Sequence, residues 1–135
     1  MTITSLYPVL TSNDVPAAGA FYRDVLGLET TFESDWYISM RSGAFELAVL
    51  SLDHETVPEG YGRAPSGVLV TVEVDDVDAV HTRTVDELGH RPVRALVDEP
   101  FGQRHFIVAA PDGVLLDVVQ PIAPSPEFAA AYAEG

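Results

Sequence analysis

The chain has 135 residues, of which 47% are apolar, enough to bury one sizeable core shared by two fused units of about 60 residues each. Lys and Arg total 7 against 21 Asp and Glu, a formal net charge of −14, which repels phosphate backbones and excludes nucleic acid as a partner. Cysteine is absent, so disulfides and thiolate metal sites are ruled out, and no stretch approaches the roughly 18 apolar residues of a membrane span.

Residues 1–12 lack the basic start and apolar run of a signal peptide. With no cysteine to oxidise, the expected location is the cytoplasm, with no membrane partner. Residues 6–11 are apolar or β-branched and predict a first strand, closed by Ser12 and Asn13. Ser12, Asn13 or Asp14 then caps a helix with Pro16 in its first turn; Val15, Ala18, Phe21, Tyr22, Val25 and Leu26 recur at helical spacing, and Gly27 ends it. Residues 29–32, 36–40 and 45–50 predict three strands separated by Ser34-Asp35 and Arg41-Ser42-Gly43 turns. Residues 52–66 carry Pro58, Gly60, Gly62 and Pro65 with little periodicity and form a connector.

The order then repeats. Residues 68–74 predict a strand, Asp75 or Asp76 a cap, Val77, Val80, Val85 and Leu88 a helix face, and Gly89 its stop. Residues 92–97, 105–109 and 114–119 predict three strands, the last two joined by Pro111-Asp112-Gly113. The tail from Pro121 is proline-rich, with a short helix expected over 127–133. At a constant offset of 62, Asp14, Val15, Ala17, Asp24, Leu26 and Gly27 meet identical residues at Asp76, Val77, Ala79, Asp86, Leu88 and Gly89. So long a period in so short a chain is a duplication. The expected fold is α+β: a single domain of two β-α-β-β-β modules, about 5–51 and 67–120, joined by the connector 52–66 and followed by the tail 121–135.

Those two modules, the helix end Phe21-Tyr22-Arg23-Asp24-Val25-Leu26-Gly27, the helix entry Glu73-Val74-Asp75-Asp76-Val77-Asp78 and Pro111-Asp112-Gly113 before the last strand resemble the vicinal oxygen chelate superfamily. That superfamily holds glyoxalase I, extradiol dioxygenases, fosfomycin resistance enzymes and bleomycin resistance proteins. The resemblance spans residues 6–120. It implies curved half-barrel sheets with helices on their outer faces. It also implies pairing of modules within one chain or between two, and, from the small antibiotic-binding members, a homodimer with clefts built from both chains.

In metal-dependent members of that superfamily, four ligands come from the first and last strands of each module. The resemblance puts those positions on Tyr7, Glu46, Leu69 and Asp117. Glu46 and Asp117 are suitable oxygen donors, Leu69 cannot bind a metal, and a phenol such as Tyr7 is a poor ligand for a divalent ion. Strand alternation places Gln103, His105 and Ile107 on one face, and pairing across the Pro111-Asp112-Gly113 turn can bring His105 beside Asp117. Glu46, His105 and Asp117 are then the only route to a metal site, the plain alternative being that His105 is held by Asp117 or Gln103.

The segment Phe101-Gly102-Gln103-Arg104-His105 resembles in wording the Trp-Gly-Gln-Arg-Tyr stretch of mitomycin-binding resistance proteins. A flat ligand lying on Phe101 and the glycine backbone would find Gln103 and His105 as hydrogen-bonding groups. Against this stands a simple bulge at Gly102, with Arg104 pairing to the acidic surface. Residues 32–37 similarly resemble an aromatic turn bordering the groove of bleomycin resistance proteins, and alternation puts one of Trp36 and Tyr37 toward a cavity. His54, His81 and His90 fall in loop or helix-end contexts and read as solvated.

Two readings follow. In the first, the chain sequesters a hydrophobic, aromatic small molecule such as an antibiotic, without cofactor, at Tyr7, Trp36, Tyr37, Glu46, Phe101, Gln103, His105 and Asp117. In the second, a divalent metal on Glu46, His105 and Asp117 serves a lyase, isomerase or dioxygenase. Leu69 favours the first.

Overall fold

The computed structural model describes residues 1–132. Its contacts divide the chain into two compact units, residues 1–68 with 110–114, and residues 69–109 with 115 onward.

In the first unit, β1 (Val9–Ser12) leads into α1 (Val15–Leu26), followed by β2 (Glu29–Glu33), β3 (Tyr37–Ser42) and β4 (Phe45–Ser51). The sheet order is β1-β4-β3-β2, with β1 parallel to β4 and the other pairs antiparallel. Asp14 is the cap: its side chain accepts the Ala17 N–H at 3.1 Å, satisfying an otherwise orphaned donor. Gly27 stops the helix in the left-handed region at φ 66°, its N–H closing on the Arg23 carbonyl. Apolar residues at helical spacing bury Val15, Ala18, Phe21, Tyr22 and Val25. The sheet contributes Leu10, Ile38, Met40, Leu47 and Val49 to the core, all on the strand face where alternation gathers them. Asp112, in the Pro111–Gly113 turn, accepts the Asn13 N–H at 2.9 Å. Burial, with Asp112 nearby, pushes the Tyr22 phenol up to about 12.

In the second unit, β5 (Leu69–Glu73) precedes α2 (Val77–His81), then β6 (Pro92–Glu99), β7 (Gln103–Ala109), β8 (Leu115–Pro121) and α3 (Pro126–Ala129). The order β5-β8-β7-β6 matches the first sheet position for position, again with one parallel pair. Asp76 caps α2 as Asp14 caps α1, its side chain accepting from Ala79 at 3.1 Å, and Gly89 takes φ 77°. The helices differ in one respect. After His81 the backbone widens into a π-helical turn, Thr82–Glu87, where the first unit stays α-helical. Phe106, Val108, Leu116 and Val118 are fully buried, with His81 edge-on to Phe106 at 5.0 Å.

The structure therefore has two four-stranded sheets, neither a closed barrel, with helices, as the duplicated sequence predicts. Replacing either Asp14 or Asp76 by alanine is expected to cost about 1 kcal/mol, measurable by urea unfolding. A cost at one cap only would show that the two helix starts are not energetically equivalent. No helix among the described residues is long and apolar enough to cross a membrane.

Several boundaries depart from expectation. β1 begins at Val9, so Tyr7 precedes the strand rather than lying in it, because pairing with β4 starts with the Ala48 N–H donating to the Pro8 carbonyl. Trp36 likewise lies in the turn before β3. β6 extends to Glu99 and β7 starts at Gln103, both longer than predicted. The tail helix covers Pro126–Ala129; the part expected from residue 133 lies outside the described residues.

Candidate functional site

In the first unit, the sheet face opposite α1 carries two of the expected site residues, Tyr37 and Glu46. Glu46 pairs with Arg41, and its Oε2 accepts from the Ser5 hydroxyl at 2.9 Å. Tyr37 pairs with Leu50. Burial raises the Tyr37 phenol above its ordinary value, with Tyr7 and Glu46 as nearby groups that add to the effect. Tyr7, Tyr37 and Glu46 are thus neighbours, and the phenol of Tyr37 stays neutral and able to donate. Trp36 leaves that group. Its indole stacks on His54 at 4.3 Å with the rings 12° from parallel, and its edges meet Phe32 and Tyr37. His54 is therefore a stacking partner where a solvated loop residue was expected, and Trp36 remains 40% exposed. Beside this stack, the connector encloses a cleft of about 360 Å³ lined by Leu52, His54, Pro58, Gly60 and Arg63, among others.

In the second unit the candidates gather more tightly. His105 is only 5% exposed and Asp117 8%. The His105 Nδ1 lies 2.7 Å from Asp117 Oδ1, and its Nε2 lies 2.8 Å from Glu99 Oε2. Glu99 in turn accepts from Arg94 at 2.6 Å. A ring held between two carboxylates satisfies both only as imidazolium, since a neutral ring has one N–H. Burial opposes the charge on His105, but the hydrogen bonds to Glu99 and Asp117 outweigh it and raise its pKa. The same contacts, with His105 first and Arg94 second, hold the Glu99 carboxyl below its ordinary range. Glu99 was missed as a site residue because β6 was expected to end at Val97, and Arg94 because a bulge on either side of it hides which face it takes.

Phe101 tops the β6–β7 connection at 37% exposure, its ring edge-on to His105 at 6.5 Å and to Phe128 at 6.3 Å. Gly102 has φ 108°, and a Cβ there would meet the Ile122 carbonyl at 3.0 Å. The glycine backbone is thus covered by the tail, not open to a flat ligand as its place beside Phe101 suggested. The Tyr132 hydroxyl donates to the Phe101 carbonyl, and the Ser125 N–H to Pro100. Gln103 sits between Glu99 and Pro121 in the ladder. Arg104 binds Asp78 and Asp98, the surface pairing that stood as the alternative for this segment.

A model of the Glyoxalase/Bleomycin resistance protein/Dioxygenase superfamily matches residues 5–118. The chain belongs to that superfamily. Solved structures share the fold. An integron cassette protein from the mobile metagenome of V. cholerae is 25% identical with a TM-score of 0.71, covering 89% of this chain and 97% of that chain. Lactoylglutathione lyase from Agrobacterium tumefaciens is 22% identical with a TM-score of 0.71, covering 88% and 95%. TioX from Micromonospora sp. ML1 is 20% identical with a TM-score of 0.74, covering 89% and 100%. At such identities the last two establish the shared fold alone. No curated protein matches the sequence significantly.

The superfamily resemblance puts metal ligands at Tyr7, Glu46, Leu69 and Asp117, and these residues do not fit a divalent ion. Leu69 is an exposed alkyl side chain with no donor atom. Asp117 Oδ1 and both His105 nitrogens are engaged with one another and with Glu99. Among the described residues no group of three or more His, Asp or Glu is arranged to hold a metal ion.

Proposed function

We propose that this superfamily member is a binding protein that takes up a hydrophobic, aromatic small molecule, such as an antibiotic, without a metal ion. The observation that carries the reading is the His105 ion-pair chain, which occupies the polar groups a metal would need and leaves an apolar, partly exposed sheet face in their place. In the first unit Trp36 offers exposed aromatic surface, with Tyr37 and Glu46 as polar groups; in the second Phe101 does so, with Gln103 and Asp117, and a few such polar atoms beside apolar surface suffice to orient a ligand. The reading includes a cytoplasmic homodimer with two equivalent clefts. The absence of cysteine supports the compartment, and exposed apolar residues on the strands, including Val9, Phe45 and Leu69, support self-association.

Calorimetric titration of untagged protein with bleomycin, mitomycin and a quinoxaline peptide tests it, together with metal analysis of the same preparation. Binding tighter than about millimolar is expected for at least one compound, and Phe101→Ala or Trp36→Ala should weaken it about tenfold. One tightly held divalent ion per chain, with turnover of a glutathione hemithioacetal or a catechol, would instead establish the metal-dependent enzyme. Sedimentation showing monomer alone at micromolar concentration would remove the dimer from the reading.

A further inference from the structure

One face of the second unit's sheet carries three carboxylates, Asp117, Glu99 and Glu73, beside apolar side chains. Asp117 lies directly opposite Thr71 on β5 and Ile107 on β7. Alternation adds Leu69, Leu115 and Val119 to the same face, Leu69 with 52% of its surface exposed. Asp117 Oδ1 is taken by His105, while Oδ2 has no protein donor among the described residues and the side chain keeps 11% exposure. Glu73, two residues beyond Thr71 on β5, is exposed on this face as well. The basic side chains on this side of the sheet, His105 and Arg94, are both engaged by carboxylates.

We propose that Arg94, Glu99 and His105 are positioning residues for Asp117, and that they present its free oxygen to the protonated amine of an otherwise apolar ligand. The contacts run in an unbroken chain from Arg94 to Glu99 to His105 to Asp117, each at 2.6 to 2.8 Å. Charge-assisted contacts of that length fix geometry. With Oδ1 held by the ring, the carboxylate cannot rotate away. The free oxygen then faces a ligand whose apolar body lies on Leu69, Ile107 and Leu115, with the Thr71 hydroxyl alongside. An anionic ligand would meet Asp117 and Glu73 with no unpaired cation to receive it.

This rests on the small-molecule reading above and narrows its ligand. The test uses phenethylamine, 3-phenylpropionate and propylbenzene as probes of one aromatic body bearing a cation, an anion or neither. Binding is followed by amide and imidazole nitrogen NMR of the full chain at pH 6.5. Phenethylamine is expected to shift the amides of Leu69, Thr71 and Asp117 and to bind about tenfold more tightly than phenylpropionate. His105 should show two ring N–H signals. Glu99→Gln, which touches no ligand and keeps the shape, should remove one of them and weaken amine binding severalfold without changing propylbenzene binding. Asp117→Asn should abolish the preference for amine over acid. Equal or tighter binding of the acid, or Glu99→Gln leaving both ring signals and the amine affinity unchanged, would overturn the proposal. Either outcome would leave the binding reading intact if the aromatic antibiotics still bind; failure of those as well would remove that reading separately.

Discussion

His105→Ala is expected to lower stability at pH 6 by about 3 kcal/mol, the largest effect of any single change at the candidate site. The ring is the shared donor of Asp117 and Glu99. Removing it leaves two carboxylates facing one another across a buried gap, so the loss combines two charge-assisted hydrogen bonds with a new like-charge repulsion. The pH dependence follows from the directions of the two shifts. His105 is raised above 6.5, so its contribution is complete below that value and is lost as pH rises through its folded pKa. Glu99 is lowered below 4.5, so its contribution is present above that value and is lost as pH falls through its folded pKa. The facing groups are Glu99 on β6, with Arg94 behind it, and Asp117 on β8. Urea unfolding across pH 4 to 9 should therefore show wild-type stability declining above about 6.5, and His105→Ala should flatten that decline. Equal midpoints for the two proteins across the range would mean that the ring contributes nothing.

Gly102→Ala is expected to cost about 2 kcal/mol and to loosen the tail. A backbone at φ 108° suits glycine alone, and the added methyl would press on the Ile122 carbonyl at 3.0 Å and on Pro124 at 3.3 Å. That carbonyl is backbone and cannot swing aside. The Ile122 N–H also donates to Gly102 at 2.9 Å, so pushing the strands apart breaks a hydrogen bond as well. Hydrogen exchange at residues 121–132 would rise well before the global melt if the tail is released. Unchanged exchange there, with only a lower melting temperature, would confine the effect to local strain.

What the sequence determined by itself was the set of elements and their duplication, because those signals are local. Asp14 and Asp76 reach the backbone of a residue three further on, and Gly27 and Gly89 supply the left-handed conformation that ends a helix. Each acts within one turn and needs no distant partner. The eight strands were legible for the same reason, as short apolar or alternating runs between turn residues. Their ends were not. Tyr7 fell outside β1 because a strand begins where its neighbour supplies hydrogen bonds, and β4 lies far along the chain; Trp36 fell outside β3 because its N–H turns to the Ser34 hydroxyl, although its carbonyl accepts from Ser51.

The arrangement around His105 depended most on tertiary structure. Its partners come from the two flanking strands, Glu99 on β6 and Asp117 on β8, and β6 is bulged twice between Pro92 and Val97. Each bulge changes which residues face which, so counting by twos from the sequence loses the register. His105 stands opposite Val119 in the ladder and reaches Asp117 diagonally. The sequence placed a histidine within reach of an aspartate. Only the register of β6 against β7 brought Glu99 to the other nitrogen, so that both sides of the ring meet a carboxylate.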